Sequence, residues 1–194
     1  MGGRFISQEI MGHRIELQTR SGLFSPEHVD RGTLAMLSIA HFEQGMQVLD
    51  LGCGCGVVGI AAAKICGEEN VTLCDIDPIA VETASANARL NGVPGVKVIV
   101  SDGLKQVDAA GFDMILSNPP YQTDFSVAKA FIEKGFNRLK IGGTLLMVTK
   151  RRDWYRNKIA AVFGGVRIHE IDGYFVFEAQ RRTSSYANAA KKRG

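Results

Sequence analysis

Residues 48–59 read VLDLGCGCGVVG, a short apolar run followed at once by closely spaced glycines. The apolar residues 47–51 predict a strand, and the Ala- and Ile-rich residues 57–66 predict a helix. Glycine allows a tight turn and lets the backbone approach a ligand without interference from a Cβ atom. A glycine-rich loop between a strand and a helix therefore indicates a site for a nucleotide-containing cofactor.

Alternating strands and helices extend on both sides of this loop. The apolar periodicity predicts further strands at 13–19, 71–75, 96–100, 112–116 and 144–148, helices at 33–42, 78–91, 125–139 and 154–163, and turns at 22–26 and 142–143. Two final strands, 166–171 and 174–179, are joined by Asp172-Gly173, a strong hairpin signal. The expected fold class is α/β, with a mainly parallel sheet, an antiparallel C-terminal hairpin and helices on both faces.

The length and composition fit one globular domain. The chain has 194 residues, of which 45% are hydrophobic and 22% are charged. No apolar run reaches the roughly 18 to 20 residues of a membrane helix, and the N-terminus lacks the apolar core of a secretory signal. We therefore expect a cytoplasmic protein that does not bind membranes. A single domain is expected over residues 1–180, with an N-terminal strand and helix segment at 1–44, followed by a flexible basic tail at 181–194.

The cysteines do not indicate a metal site. Cys53, Cys55, Cys66 and Cys74 form no Cys-x-x-Cys pair, and no nearby histidine completes a zinc-binding set. Cys74 lies in an apolar run, which is typical of a small core residue. No bound metal is therefore expected.

Carboxylates accompany the ends of successive predicted strands. Asp50 lies just before the glycines, Asp75 ends the next strand, and Asp102 follows the third. A carboxylate at Asp50 can face a positive amino group but would repel a pyrophosphate. Asp75 can accept hydrogen bonds from both hydroxyls of a ribose, which suits NAD or S-adenosylmethionine, and Asp102 can accept one from an adenine amine. Each residue could instead cap a local turn or helix, but their spacing favours a nucleoside site.

Several motifs resemble those of class I methyltransferases in order and spacing. They are DLGCGCGVVGI at 50–60, CDIDPIAV at 74–81, VSDGL at 100–104 and SNPPY at 117–121. The segments GLFS at 22–25, VDRGT at 29–33 and GGTLLMVTK at 142–150, with the final hairpin, are similar to the small-domain methyltransferase family. That family includes ribosomal RNA guanine-N2 methyltransferases, and the resemblance covers residues 20–180.

The resemblance implies a Rossmann-like sheet of seven strands, the last of them antiparallel, and S-adenosylmethionine as the cofactor. It places Asp50 at the methionine end, Asp75 at the ribose, Ile76 against the adenine face and Asp102 at the adenine amine. The other cofactor-binding residues expected are Gly52, Cys53, Gly54, Gly56, Gly103 and Asn118.

The segment Ser117–Tyr121 is the expected acceptor site. It follows a predicted strand, at the sheet edge where open α/β sheets bind ligands. The Asn118 side-chain oxygen and the Pro119 carbonyl could hold the N–H groups of a planar amine and aim its lone pair at the methyl carbon. The prolines stiffen the loop, and Tyr121 could stack on a flat group. Asn-Pro and Pro-Pro also mark ordinary turns, but this position favours the functional interpretation.

Charge is distributed unevenly along the chain. Residues 1–128 contain 8 Lys and Arg against 15 Asp and Glu, whereas residues 129–194 contain 15 against 5. This asymmetry indicates a polyanionic partner, although solvated helix faces and a basic tail would produce it too. Trp154 and Tyr155 lie among the first basic residues, where they could stack on bases, and Trp154 serves equally well as a core anchor. The candidate RNA contacts are Lys150, Arg151, Arg152, Arg156 and Lys158, with Arg181, Arg182, Lys191, Lys192 and Arg193 in the tail.

The expected function is N-methylation of RNA, with ribosomal RNA guanine-N2 favoured over adenine-N6. A protein glutamine-N5 methyltransferase also uses Asn-Pro-Pro-Tyr, but that family usually has a larger helical domain before the loop than residues 1–47 provide. The intact Asp50, Asp75 and Asn118 argue against an S-adenosylmethionine-binding or assembly protein that has lost catalysis. Asp50 and the absence of a Tyr-x-x-x-Lys pair argue against a nicotinamide oxidoreductase.

Overall fold

The computed structural model describes residues 4–19, 28–120 and 125–187, in which strands and helices alternate along the chain. In chain order the elements are β1 (Arg4–Ile10), β2 (His13–Thr19), α1 (Arg31–Ile39), β3 (Val48–Leu51), α2 (Val57–Cys66), β4 (Val71–Asp75), α3 (Pro78–Leu90), β5 (Lys97–Val100), β6 (Phe112–Ser117), α4 (Phe125–Arg138), β7 (Leu139–Thr149), α5 (Asp153–Phe163), β8 (Arg167–Ile171) and β9 (Tyr174–Gln180). None of the helices in the described ranges is long and apolar enough to cross a membrane.

Among the described residues, seven strands form one sheet in the order β5-β4-β3-β6-β7-β9-β8, here called the main sheet. Neighbours from β5 to β7 pair in parallel, and β9 is antiparallel to both β7 and β8. The chain runs outward from β3 to β5 and then returns to place β6 on the other side of β3. Such a reversal opens a crevice at the carboxyl ends of the strands. The predicted α/β class and C-terminal hairpin are confirmed.

Helices cover both faces of the main sheet, so alternate side chains of a strand enter different layers. On β3, Val48 packs in the layer that contains α1, α2 and α3. Leu49 and Leu51 pack in the layer that contains α4 and α5. Because side chains alternate with a period of two, Asp50 shares the face of Val48 and points toward α2.

Strands β1 and β2 form a separate antiparallel hairpin. The sequence pattern predicts β2 but not β1. The two residues between them, Met11 and Gly12, have φ angles of +52° and +79°, close to the +52° and +77° of Asp172 and Gly173 in the C-terminal hairpin. Asp-Gly is a typical signal for this turn, whereas methionine rarely adopts a positive φ, which explains why β1 escapes prediction.

The prediction of a turn at Gly142-Gly143 is wrong, because both residues lie within strand β7. Strand β7 begins at Leu139, directly after α4, and the residues up to Gly143 form an irregularity in its pairing with β6. Gly142 has a φ of +88°. The N–H of Gly142 donates to the Arg181 carbonyl at 2.7 Å, and the N–H of Arg181 donates to the Gly143 carbonyl at 2.8 Å. These bonds to the chain after β9 keep the bulge within the sheet.

The first residues of the predicted tail pack against α4. The Arg181 guanidinium lies 4.8 Å from the centre of the Phe136 ring. The Tyr186 hydroxyl donates to the Glu133 carbonyl at 2.9 Å. Arg182 is described and exposed, whereas residues 188–194, which include Lys191, Lys192 and Arg193, lie outside the described part of the chain. The boundary between domain and tail stays a prediction.

The close packing of α2 on β4 can be tested at Gly59. A Cβ on Gly59 would lie 2.4 Å from Cγ of Leu73, whereas a Cβ on Gly135 in α4 would lie 3.8 Å from Cδ1 of Ile115. We expect Gly59→Ala to destabilise the protein by about 1 to 3 kcal/mol, because the buried Leu73 must shift. Gly135→Ala, the matched control, should stabilise by up to about 1 kcal/mol through helix propensity. Urea unfolding measures both, and equal effects would contradict the tight contact at Gly59.

Candidate functional site

The glycine loop, residues 52–56, joins β3 to α2. Gly52, Gly54 and Gly56 have φ angles of +79°, +54° and +89°, in the region that favours glycine. The N–H of Gly52 donates to the Cys74 carbonyl at 2.9 Å. The loop is thereby tied to the end of β4 and turns beneath the crevice of the main sheet.

Asp75 ends β4 and holds the glycine loop through its side chain. Its Oδ2 accepts from the N–H of Gly54 at 2.8 Å, and its Oδ1 accepts from the N–H of Asp77 at 3.0 Å. Each carboxylate oxygen has capacity for a further hydrogen bond. Because Asp75 also lines a cavity, it can accept ligand hydroxyls while it keeps the loop in place.

Asp50 is buried beside the loop, with 3% of its surface exposed. Its Oδ2 accepts from the N–H of Gly59, in the first turn of α2, at 2.9 Å. Burial raises the pKa of the Asp50 carboxyl to about 7, the hydrogen bond from Gly59 opposes that rise, and the charge of Asp75 adds to it. A cation that entered the cavity would favour the ionised form of Asp50.

The segments after β4 and β5 form the rim of the site. Ile76 is 67% exposed and presents an apolar surface. Asp102 is exposed and bonded to Lys105, which lowers the pKa of the Asp102 carboxyl. Gly103, at a φ of +59°, lies close to the ring of Phe131. The rim therefore combines apolar surface with a carboxylate, which suits a heteroaromatic ring that carries an amine.

Asn118 follows β6 and is oriented by the start of α1. Its Nδ2 donates to Oδ2 of Asp30 at 2.8 Å and to Oγ1 of Thr33 at 3.0 Å. Asp30 is the N-cap of α1 and also accepts from the N–H of Thr33 at 2.9 Å. These bonds fix which end of the amide is the nitrogen, so the carbonyl oxygen is directed away from Asp30. The pattern Asp-x-x-Thr signals a helix N-cap, but it does not reveal a contact with Asn118.

A cavity of about 470 Å³ joins these groups. This volume lies within the ~300 to 1,000 Å³ typical of small-molecule sites. Gly56 is not among its lining residues and lies behind the loop, against Ala84, where it is the N-cap of α2. Tyr121 lies outside the described residues. The predicted site residues that line the cavity are Asp50, Gly52, Cys53, Gly54, Asp75, Ile76, Asp102, Gly103, Asn118 and Pro119.

The cavity walls also contain residues that sequence reasoning does not single out. Ile6 and Leu17 are cross-strand partners in the β1–β2 hairpin, and both line the cavity. The alternation in β2 indicates that Leu17 is buried, but it does not indicate what Leu17 faces. The other unpredicted lining residues include His28, Val29, Asp30, Thr33, Val127 and Phe131.

The predicted basic cluster follows β7, at the same sheet edge as the cavity, because β6 and β7 are parallel neighbours. Lys150, Arg151 and Arg152 are exposed. The Arg151 guanidinium lies 5.1 Å from the centre of the Phe125 ring, and Trp154 stacks on the same ring at 4.3 Å. Trp154 therefore anchors α5 to α4, which is the structural alternative expected for it.

The other members of the cluster have partners within the protein. Arg156 lies 3.8 Å from the carboxylate of Asp153, and Lys158 forms an ion pair with Glu133. Tyr155 is 4% exposed, so it is not placed to stack on a base. Arg152 lies 3.8 Å from the same Asp153 carboxylate, so Lys150 and Arg151 are the members of the cluster without an ion pair in the part of the chain that the structure describes, and they are the best placed for an external anion.

Residues 14–178 match the family described as methyltransferase small domain. A ribosomal RNA small subunit methyltransferase C from Hahella chejuensis is 36% identical over 172 residues, which cover 86% of this chain and 50% of that protein. The uncharacterized protein YbxB from Bacillus subtilis is 32% identical over 167 residues, which cover 83% of each chain. The chain thus spans about half the length of the ribosomal RNA methyltransferases it matches.

Solved methyltransferases share the fold. The 16S rRNA N2 G1207 methyltransferase of T. thermophilus, in complex with AdoMet and guanosine, matches with a TM-score of 0.84 and 27% identity over 94% of this chain and 51% of that chain. A methyltransferase from Pyrococcus furiosus matches with a TM-score of 0.72 and 16% identity, over 87% of this chain and 90% of that chain. At 16% identity, the match to the Pyrococcus furiosus protein shows a shared fold and nothing about function.

The raised pKa of Asp50 predicts a pH-dependent stability. Below pH 3.8 the Asp50 carboxyl is protonated in both the folded and the unfolded chain, so its burial does not lower the free energy of unfolding. Between pH 3.8 and about 7 the carboxyl ionises in the unfolded chain but stays protonated in the folded one, and the free energy of unfolding therefore falls as the pH rises. We expect Asp50→Asn to stabilise the free protein, by roughly 2 kcal/mol more at pH 8 than at pH 5. Urea unfolding at both pH values measures this difference. The exposed Asp108→Asn is the control, and an equal effect of Asp50→Asn at the two pH values would refute the raised pKa.

Proposed function

This chain belongs to the methyltransferase small domain family, and we propose that it transfers a methyl group from S-adenosylmethionine to an exocyclic amine of a nucleobase in RNA. The proposed substrate is ribosomal RNA, with the guanine N2 amine favoured over the adenine N6 amine. The observation that carries the proposal is a single cavity lined by the carboxylates of Asp50, Asp75 and Asp102 and by the amide of Asn118.

The residues of the cavity fit S-adenosylmethionine, which supplies a methyl group on a positively charged sulfur. We assign Asp50 to its ammonium group, Asp75 to the ribose hydroxyls and Asp102 to the adenine amine, with Ile76 against the adenine face. Carboxylates favour a cationic ligand, and the same groups would repel the pyrophosphate of a dinucleotide. The positive φ angles of the glycine loop let its backbone approach such a ligand closely.

Asn118 and Pro119 are assigned to the methyl acceptor. The lone pair of an exocyclic amine is delocalised into the base, so the amine must be oriented before its nitrogen can attack. The Asn118 side-chain oxygen and the Pro119 carbonyl would accept its N–H groups and direct the nitrogen toward the methyl carbon. Asp30 supports this role, because its 2.8 Å bond to Nδ2 of Asn118 prevents rotation of the amide.

Positioning supplies most of the catalysis in this proposal. As the bond between carbon and sulfur breaks, a neutral thioether leaves and the methylated nitrogen becomes cationic and acidic, so its proton can pass to water and the site needs no strong general base among its residues. Tyr121 is assigned to stacking on the target base, on sequence grounds alone. A base within a duplex would have to be flipped out of the stack to reach the cavity.

The exposed cations after β7 support an RNA partner. Lys150, Arg151 and Arg152 follow β7, at the edge of the main sheet on which the cavity lies, and from there they could contact phosphates near the target nucleotide. The proposal agrees with the names of relatives that methylate ribosomal RNA. A ribosomal RNA substrate also implies a cytoplasmic location, which we propose with it.

The experiment that tests the proposal is transfer of radiolabelled methyl from S-adenosylmethionine in an extract of cells that lack this gene. We expect label in one RNA species, whose modified base can then be mapped. Label in protein alone would favour a glutamine-N5 methyltransferase, since a glutamine amide is also a planar nitrogen. No label in either fraction, despite tight cofactor binding, would favour a small-molecule substrate or a non-catalytic role.

Removal of the Asn118 side-chain amide should slow methyl transfer without weakening the binding of S-adenosylmethionine. We expect Asn118→Ala to slow methyl transfer by about a hundredfold or more, because one fixed hydrogen-bond partner of the reacting amine is lost. The Kd for S-adenosylmethionine, measured by calorimetry, should change by less than about threefold. Asn137→Ala, an exposed change on α4, is the control and should leave both quantities unchanged. Normal transfer by Asn118→Ala would reject the role assigned to Asn118.

The basic cluster should govern the salt dependence of RNA binding. We expect the double variant Arg151→Ala and Arg152→Ala to weaken binding and to lower the slope of log K against log salt by about 1 to 2. The double variant Arg89→Ala and Lys97→Ala removes two exposed cations, one on α3 and one on β5, and serves as the charge-matched control. Fluorescence anisotropy with the mapped RNA measures the slopes. Identical slopes for the two double variants would exclude a specific role for the cluster.

A further inference from the structure

The β1–β2 hairpin docks on α3 through two asparagine side chains. Oδ1 of Asn87 accepts from the N–H of Gln18 at 2.8 Å, and its Nδ2 donates to the Gln18 carbonyl at 3.0 Å. Asn91, one helical turn later, makes the same two bonds with Glu16, at 2.9 and 2.6 Å. Alternate residues of a strand direct their backbone N–H and C=O groups to the same side, and those of Glu16 and Gln18 point away from β1. The two asparagine side chains bond these groups as a neighbouring strand would.

Each asparagine also makes a third bond, and these bonds differ. Nδ2 of Asn87 donates to the Cys55 carbonyl, in the glycine loop, at 2.9 Å. Nδ2 of Asn91 donates to the Asn87 backbone carbonyl, within α3, at 2.8 Å. Asn87 is fully buried, and Asn91 is 9% exposed. Of the two side chains, Asn87 is therefore the one that joins the hairpin to the loop.

The glycine loop is held from two sides at adjacent residues. The N–H of Gly54 is held by Asp75 at 2.8 Å, and the carbonyl of Cys55 is held by Asn87. Cys55 lies between two glycines, which resist rotation of the backbone less than other residues do. The peptide group that Cys55 shares with Gly56 also donates, through the Gly56 N–H, to the Cys53 carbonyl at 2.8 Å, so loss of the bond from Asn87 would remove one of these two bonds and make rotation of the peptide easier.

The hairpin itself is part of the cavity, because Ile6 and Leu17 line it. We propose that Asn87 is a positioning residue that couples docking of the β1–β2 hairpin to the conformation of the glycine loop, so that the docked hairpin and bound S-adenosylmethionine stabilise each other. When the hairpin leaves α3, Asn87 loses two of its three bonds, its amide can turn, and the Cys55 carbonyl is released. The part of this proposal that concerns S-adenosylmethionine rests on the proposed function. Linkage requires the stabilisation to be reciprocal.

Asn87→Ala and Asn91→Ala form a matched pair, since each removes two bonds to the hairpin and one further bond. The first measurement is amide hydrogen exchange of the free protein. We expect exchange in β2 to accelerate in both variants. Exchange of the loop amides at Gly54 and Gly56 should be about fivefold or more faster in Asn87→Ala than in Asn91→Ala. Equal loop exchange in the two variants would overturn the coupling.

The second measurement is the calorimetric Kd for S-adenosylmethionine. We expect a weakening of about tenfold in Asn87→Ala and of about twofold in Asn91→Ala, because the loop bond is lost in the first alone. Bound S-adenosylmethionine should also slow exchange in β2 of the wild type and of Asn91→Ala more than in Asn87→Ala. Equal Kd values would overturn the link to the cofactor.

The two measurements separate the failure of this inference from the failure of the proposed function. A wild-type protein that does not bind S-adenosylmethionine overturns the proposed function and the cofactor half of the coupling, while loop exchange in the free protein still decides the structural half. If Asn87→Ala does not fold, the milder pair Asn87→Ser and Asn91→Ser takes its place in both measurements, with the same expected contrast.

Discussion

The left-handed backbone at Gly52, Gly54 and Gly56 is the constraint on which the rest of the site depends. It turns the chain from β3 into α2 so sharply that the N–H of Gly59 reaches the buried carboxylate of Asp50 at 2.9 Å. A side chain at Gly56 would strain this backbone and would also lie 3.0 Å from the Ala84 Cβ. The shape of the cavity, the start of α2 and the burial that raises the pKa of Asp50 to about 7 therefore have one local cause.

Residues distant in sequence hold this local geometry in place. The bond from Gly54 to Asp75 spans 21 residues, the bond from Asn87 to Cys55 spans 32, and the bond from Asn118 to Asp30 spans 88. Each joins a loop at the sheet edge to a different element, namely β4, α3 or α1. A polar group held in this way does not have to reorganise when a ligand arrives, which is the condition for catalysis by positioning.

The parts of the fold that sequence predicts are those whose signal is local. Apolar periodicity predicts the parallel strands and most helix positions, and Asp172-Gly173 predicts the final hairpin, because propensity and turn chemistry agree at those positions. The glycine loop and the strand-end carboxylates are predictable because parallel strands share one carboxyl edge. Strand β1 is not predicted, since Met11 adopts a positive φ that methionine rarely takes and therefore gives no turn signal in the sequence. The partners of Asn118 and Cys55 depend on which helices pack together, and no local pattern carries that information.

The uneven distribution of charge along the sequence corresponds to a separation of acidic and basic groups along the carboxyl edge of the main sheet. The acidic residues Asp50, Asp75 and Asp102 belong to β3, β4 and the end of β5, whereas the exposed cations Lys150 to Arg152 follow β7. Strand β6 lies between these groups, and two strand spacings amount to about 10 Å, close to the Debye length at physiological salt. The two fields would therefore stay distinct, and the proposed RNA would be attracted toward β7 and repelled from the ionised carboxylates. Its phosphates would lie over β7 and its target base would extend over β6, toward Asn118, with the cofactor beyond. In the function proposed above, the order of strands in the sheet would set the order of phosphate, acceptor base and methyl donor.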